Sequence, residues 1–328
     1  MYFRLRAIFL VIIILISGSF FVSKSLAGSP NDIIVTMTPP NPTPGQTVNI
    51  SLNSYLYNLD SVLITYLVNN KKVTEGVGKK SFSLQAPDLS GESTVLVNIN
   101  LPDGNIQLRL VVKSSNMVML WQANDSYVPP FYKGKAMPIP DSSIKVVAMP
   151  EMLSGKTMLD PNNMTYNWKL DYSNDGESSG YAKNYFIYNN DYLEKVNNVS
   201  VDVSTTDQNY SLGGEINIST TKPKIVFYKR DKDLGTMFDN AIPENYVVKQ
   251  SETLEVAPYF MSPNNPLNPL LTWTWSINDA PVYLNSLFPN ILPLQKTEGV
   301  SGNAKINLVI ENKYRVFQTT KKELNVSF

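Results

Sequence analysis

The sequence predicts an all-β chain made of tandem β-sandwiches, and three observations lead to this fold class. Apolar and polar residues alternate in many short runs, and prolines and glycines separate these runs. Nothing longer than a turn or two has helical periodicity. A tryptophan-centred strand occurs twice, at 165–171 (TYNWKLD) and at 272–278 (TWTWSIN), roughly a hundred residues apart, which is the length of one sandwich domain.

Composition limits the classes of protein to which the chain can belong. Its 328 residues, 43% of them hydrophobic, suffice for two or three domains with separate cores. The 28 basic and 28 acidic residues balance, so we do not expect a nucleic-acid partner, which would require clustered positive charge. The chain contains no cysteine, so an exported sandwich must rely on its packed core instead of disulfides.

The absence of histidine and cysteine excludes most catalytic chemistry. Ser-His-Asp and Cys-His nucleophilic sites, ordinary zinc sites and imidazole proton shuttles are all unavailable. Carboxylate pairs remain, and the densest is Asp175 with Glu177, but a Ser- and Gly-rich loop offers no apolar pocket to raise one pKa. We therefore expect a protein that is not an enzyme, with no catalytic residues and no cofactor.

Residues 1–27 have the pattern of an export signal. Arg4 and Arg6 precede an apolar run at 7–22, and Ser25 and Ala27 are the small residues required for cleavage before Gly28. The alternative is an uncleaved anchor helix, but the apolar run is shorter than the ~20 residues that span a bilayer. We expect an exported chain located at the cell surface, in the periplasm or in the medium.

Residues 31–121 are predicted to form the first β-sandwich. The runs at 48–52, 95–99 and 106–110 each alternate apolar with polar residues and so present one apolar face. Pro44-Gly45 fits a type II turn. The run 63–68 takes the place that the tryptophan strand has in the later repeats.

Residues 122–143 are predicted to form a connector between domains. Four prolines disfavour a central strand here and favour extended chain: Pro129, Pro130, Pro138 and Pro140. Tyr127, Phe131 and Tyr132 have two interpretations, an exposed aromatic recognition patch or packing across the domain junction. The second is favoured, because large exposed apolar clusters are uncommon.

Residues 144–221 and 224–328 are predicted to form the second and third sandwiches. Tyr166 and Trp168 share one face of their strand, and Trp273 and Trp275 share one face of theirs, so all four are predicted to be core residues. The competing interpretation is that these rings stack on sugars, as in carbohydrate-binding modules.

Two stretches resemble known families. Residues 166–171 (YNWKLD), followed by 173–176 (SNDG), resemble the signature of PKD-type immunoglobulin-like domains. The second copy has 278–281 (NDAP) where the turn glycine would fall, so it is better described as Ig-like. The run 121–140 resembles exported multi-domain proteins of small-genome bacteria. The resemblance implies a bacterial surface protein of PKD/Ig-like domains, a class that supplies scaffolds and adhesive modules.

One loop has part of a calcium-binding pattern. Asp171, Ser173 and Asp175 place oxygen ligands at the first, third and fifth positions, and Gly176 follows at the sixth. The pattern then fails, because Ala182 stands where a bidentate glutamate is needed. A β-turn formed by residues 174–176 explains the same residues, so no metal site is predicted.

These observations predict a non-enzymatic, exported surface scaffold or adhesive module of the kind found in pilus and envelope assemblies. The alternative is a carbohydrate-binding accessory module. The expected partners are other envelope or surface proteins, or glycans. Contact with the membrane is expected only through the N-terminal segment, if that segment is not cleaved.

Overall fold

A computed structural model describes residues 29–328 except Ser90, 155–156 and Glu298. The regular secondary structure of this part of the chain is almost entirely β-strand, which confirms the all-β class. Its only helical segments are 3-10 turns at Pro30–Asp32, Leu59–Ser61 and Pro161–Asn163. None of the described helices is long and apolar enough to cross a bilayer. The predicted signal or anchor at 1–27 lies outside the described residues.

The chain divides into two compact units, Met1–Asn116 and Met117–Phe328. The first unit holds one sandwich, with seven strands: β1 (Ile34–Thr38), β2 (Thr47–Asn53), β3 (Leu63–Val68), β4 (Lys71–Val77), β5 (Ser81–Gln85), β6 (Glu92–Leu101) and β7 (Gly104–Lys113). One sheet has the order β1-β2-β5 and the other β4-β3-β6-β7. Side chains from both sheets form a single core, the arrangement of an Ig-like sandwich.

The second unit begins with another sandwich of the same strand order. Its strands are β8 (Asn116–Ala123), β9 (Ser143–Glu151), β10 (Leu153–Ser154), β11 (Thr157–Met158), β12 (Met164–Leu170), β13 (Ser173–Tyr181), β14 (Tyr185–Asn189), β15 (Val196–Thr205) and β16 (Ser211–Ser219). The sheets are β14-β9-β8 and β13-β12-β15-β16, with β10-β11 as a separate hairpin. The sequence places residues up to 121 in the first sandwich, whereas β8 lies in a sheet of the second, because its alternate side chains pack on that core.

The third sandwich follows in the same unit and has a different edge arrangement. Its strands are β17 (Lys224–Asp231), β18 (Gly235–Ala241), β19 (Asn245–Val247), β20 (Glu252–Tyr259), β21 (Leu271–Ile277), β22 (Ala280–Val282), β23 (Ile291–Leu294), β24 (Asn303–Asn312) and β25 (Thr319–Ser327). The sheets are β18-β17-β20-β23 and β19-β25-β24-β21-β22. β19 runs parallel to β25, so the terminal strand is paired on both sides over part of its length.

β3, β12 and β21 hold equivalent places, and each ends in a two-residue turn. Both turn residues have positive φ, as a type I′ hairpin requires, and Asn and Asp tolerate this conformation better than most residues. The pairs are Asn69 and Asn70, Asp171 and Tyr172, and Asn278 and Asp279. The prediction of a turn at 174–176 was wrong: these residues lie in β13, because the chain has already reversed at Asp171 and Tyr172.

Candidate functional site

One buried aromatic residue occupies the centre of each sandwich. Tyr66 and Trp168 have no exposed surface, and Trp275 is 3% exposed. Each donates a hydrogen bond to a backbone carbonyl later in the chain: Tyr66 Oη to Lys79 O at 2.8 Å, Trp168 Nε1 to Lys183 O at 2.9 Å, and Trp275 Nε1 to Pro289 O at 3.0 Å. These rings are therefore inaccessible to a sugar.

Tyr166, the other predicted core residue of the second sandwich, is also fully buried. Its hydroxyl donates to Pro161 O at 2.8 Å, and loss of solvent around the ring raises its pKa to about 12. Burial raises the pKa of Tyr66 to about 12 as well. Both hydroxyls are held protonated as hydrogen-bond donors.

The first residue of each type I′ turn makes the same two hydrogen bonds to the next core strand. The backbone amides of Asn69, Asp171 and Asn278 donate to Thr94 O, Asn198 O and Lys305 O at 2.8, 2.8 and 2.9 Å. Their side-chain oxygens accept from the amides of the same three partners at 3.0, 2.7 and 2.9 Å. The repeated Asn or Asp is thus explained by this clamp between neighbouring strands.

The same contacts account for the calcium-like residues. Asp171 uses one carboxylate oxygen for Asn198 N and the other for Asn197 Nδ2, at 2.7 and 3.0 Å. Asp175 accepts from Ser178 N at 2.7 Å, and Ser173 lies exposed at the start of β13. Within the residues that the structure describes, no group of three acidic, His or Cys side chains is close enough to hold a metal ion.

The three aromatics of the connector differ in their exposure. Tyr127 is half-buried, and its backbone bonds to Met261 O and Phe260 N at 2.8 and 2.7 Å. Tyr132 packs edge-on against Tyr259, with ring centroids 5.4 Å apart. Phe131 is 96% exposed, at the third position of a turn with φ 61°, whereas Tyr132 is 38% exposed.

The connector packs between the second and third sandwiches. We call the residues that hold it there the seam. Ile139 is fully buried in the core of the third sandwich. Asn190, between β14 and β15, donates to Ile139 O at 3.1 Å and accepts from Ser142 N at 2.6 Å. Gln318, with no exposed surface, donates to Pro140 O at 2.8 Å.

The seam also contains an ion pair and a ring stack. Arg315 Nη1 lies 2.6 Å from Asp125 Oδ2, and the other oxygen of Asp125 accepts from Ser143 N at 3.0 Å. Tyr192 of the second sandwich stacks on Phe317 of the third, with centroids 4.3 Å apart and planes 9° from parallel. The sequence predicted a connector between the first and second sandwiches, whereas residues 124–142 join β8 to β9 within the second sandwich and pack against the third.

Trp273 borders a cleft in the third sandwich. It is half-buried at the margin of the core, while Trp275 of the same strand is buried. The cleft holds about 380 Å³ and lies between the start of β21 and the loop that follows β22. Its lining combines apolar and aromatic side chains, including Leu267, Tyr283 and Leu284, with neutral polar ones, including Asn268, Thr272 and Ser286.

Trp121, the fourth tryptophan, lies in β8 and packs partly buried on the core of the second sandwich. The ammonium of Lys135 lies 3.7 Å from the centre of its ring, a cation–π contact. The lysine covers the outer face of the indole, so this ring is part of the connector packing.

Comparison with known proteins gives no family. No family model matches the chain, and no curated protein matches it. Solved structures similar to it include the fibronectin(III)-like modules of Clostridium thermocellum CbhA, with 16% identity, 57% of this chain and 94% of that chain covered, and a TM-score of 0.28. Another is a structure of three N-terminal domains of the bacteriophage RB49 Highly Immunogenic Outer Capsid protein. It is 10% identical, the match covers 90% of this chain and 95% of that chain, and the TM-score is 0.25. The fold assignment rests on the strand order of the chain itself.

Proposed function

We propose that this chain is an exported, non-catalytic scaffold of three Ig-like modules that presents an adhesive or assembly surface outside the cell. The observation that carries the proposal is the seam, which fixes the second and third sandwiches to each other through side-chain hydrogen bonds, an ion pair and a shared apolar residue. A rigid spacing between modules is what a scaffold supplies.

The seam favours one geometry because its polar groups are buried and matched. Gln318 and Asn190 have almost no exposed surface, so a rotation of one sandwich against the other would leave amides without partners. An unsatisfied buried polar group costs about 1–3 kcal/mol, and several such groups act together here. The free-energy cost of leaving these amides without partners therefore opposes hinge motion between the second and third sandwiches.

The second candidate function, a carbohydrate-binding accessory module, has narrower support. Trp168 and Trp275 are buried, so two of the rings on which that interpretation relied are not on the surface. The cleft beside Trp273, with Tyr283 93% exposed at its margin, is the feature that favours it. We retain glycan binding as an outcome to be measured at this cleft.

The scaffold proposal is tested by protease treatment of intact source cells, followed by cross-linking of the native chain in the envelope fraction. The expected result is that protease reaches the chain without lysis and that cross-links join it to other envelope proteins. A chain that is degraded only after lysis and fractionates with cytoplasmic proteins would overturn the proposal.

A further inference from the structure

The central sheet of the third sandwich has a half-open edge. In the first sandwich β4 pairs with β3 from Leu63 to Val68, and in the second β13 pairs with β12 from Thr165 to Leu170. In the third, β22 pairs with β21 only from Trp275 to Ile277. Residues 271–274 of β21 are paired with β24 on one side, and no described strand covers the other.

The backbone at this edge is oriented to receive a strand. Asn278 N donates to Lys305 O, and in an antiparallel ladder the bonded pairs recur at every second residue. The even-numbered residues of β21 therefore bond to β24, and the N–H and C=O of Trp273 point toward the open edge. An exposed row of this kind is a template for another strand.

The cleft lies directly beside these backbone groups. Trp273 lines it, and its indole Nε1 is buried with no hydrogen-bond partner among the described residues. This nitrogen has almost no exposed surface, so a partner would bind Trp273 through its backbone and not through the indole N–H. Only Lys313 carries a charge among the described residues of the lining, so the cleft suits an uncharged or acidic segment.

The other two sandwiches show what occupies the equivalent place. Trp273 corresponds to Ile64 and Tyr166, because each lies two residues before the central aromatic of its strand. Ile64 pairs with Gly76 and Tyr166 pairs with Gly180, so in both cases the chain's own strand places a glycine opposite this position. In both sandwiches, a large side chain that points into the core is paired across the strands with glycine, which has no side chain.

We propose that residues 271–274 of β21, together with the Trp273 cleft, form a strand-addition site for an extended segment of a partner protein. The segment pairs with the N–H and C=O of Trp273 and carries glycine or alanine opposite it. This inference deepens the proposed scaffold function, on which it rests, by assigning the surface at which a partner is held.

The test uses a phage-displayed library of random linear peptides selected against the full chain. Enriched peptides are expected to contain glycine or alanine within an apolar segment and to slow hydrogen exchange of the Trp273 amide by about tenfold or more. N-methylation of the peptide bond that pairs with Trp273 should abolish binding. A neutral oligosaccharide would contact side chains and leave the Trp273 amide exchanging freely.

Matched variants keep this test independent of folding. Tyr283→Ser removes a ring that is 93% exposed beside the cleft and should weaken binding by about tenfold, whereas Tyr55→Ser, at a ring 95% exposed in the first sandwich, should not. Peptides that bind both variants alike, peptides that leave the Trp273 amide unprotected, no enrichment, or displacement by an oligosaccharide would each overturn the inference. Surface exposure of the chain is measured separately, so either proposal can fail alone.

Discussion

At the residue scale, the central aromatics act both as apolar packing and as hydrogen-bond donors. Trp168 stacks with Phe186, with centroids 5.6 Å apart, and its indole N–H ties β12 to the carbonyl of Lys183 just before β14. The two strands belong to opposite sheets, so one side chain connects both layers. Tyr66 makes the equivalent contact with Phe82 at 5.0 Å in the first sandwich.

Trp168→Ala should lower the free energy of unfolding by about 3–5 kcal/mol, because the loss of a buried ring leaves a cavity as well as lost transfer energy. Urea denaturation of the purified chain measures this change. Tyr172→Ala, at a ring 80% exposed in the adjacent turn, is the control and should change stability by less than about 0.5 kcal/mol. If Trp168→Ala lowered the free energy of unfolding by less than about 1 kcal/mol, the role of Trp168 in joining the two sheets would be contradicted.

At the scale of single elements, each of the three type I′ turns joins neighbouring strands through one side chain. Asn69, Asp171 and Asn278 combine a positive φ with a side-chain bond to the next core strand. The acceptor is an amide oxygen in two of the turns and a carboxylate oxygen in the third. The hydrogen bond to the next strand therefore requires only a side-chain oxygen at this position.

Asn278→Ala should therefore destabilise the third sandwich by about 1–2 kcal/mol, since it removes the acceptor for Lys305 N and adds strain at positive φ. Asn278→Asp should remain near the wild type, as Asp171 already fills the equivalent place. The two melting temperatures can be compared by circular dichroism. Equal decreases in melting temperature for Asn278→Ala and Asn278→Asp would show that the side-chain oxygen does not contribute to stability.

Period-two alternation could predict most strands because it is a local signal. Each alternating run around Val48, Val97 or Val201 reports its own buried face. Strand partners are not local, so the sequence did not show that β8 belongs to the second sandwich, that β19 pairs in parallel with β25, or that β22 stops at Val282. The half-open edge and the cleft follow from these pairings and were missed for that reason.

The seam was only partly predictable. The rarity of exposed aromatic clusters predicted that Tyr127 and Tyr132 pack at a junction between the first and second sandwiches, whereas both contact residues of the third. Nothing in the sequence links Gln318 to Pro140 or Arg315 to Asp125, because these partners lie far apart in the chain. One signal was available: Asn and Gln beside core strands are buried only when they have partners.

At the scale of the whole molecule, the fully and partly buried tyrosines predict alkaline sensitivity. Burial raises the pKa of Tyr66, Tyr127, Tyr166 and Tyr246 to about 12, above the ordinary value near 10. The unfolded chain releases these protons first, so stability is retained below pH ~10 and falls as the pH rises toward ~12. Urea midpoints across this range should decrease while tyrosinate absorbance stays low in the folded protein. A constant midpoint from pH ~9 to ~12 would contradict the burial of these hydroxyls.

The most direct test of the rigid scaffold is native-state hydrogen exchange of the full chain in increasing denaturant. It compares amides at the centre of β15, in the second sandwich, with those of β24, in the third. The seam predicts that both sets open in one step, with one free energy and one denaturant dependence, and that Gln318→Ala separates them. Two distinct opening free energies in the unmodified chain would show independent modules and contradict the account.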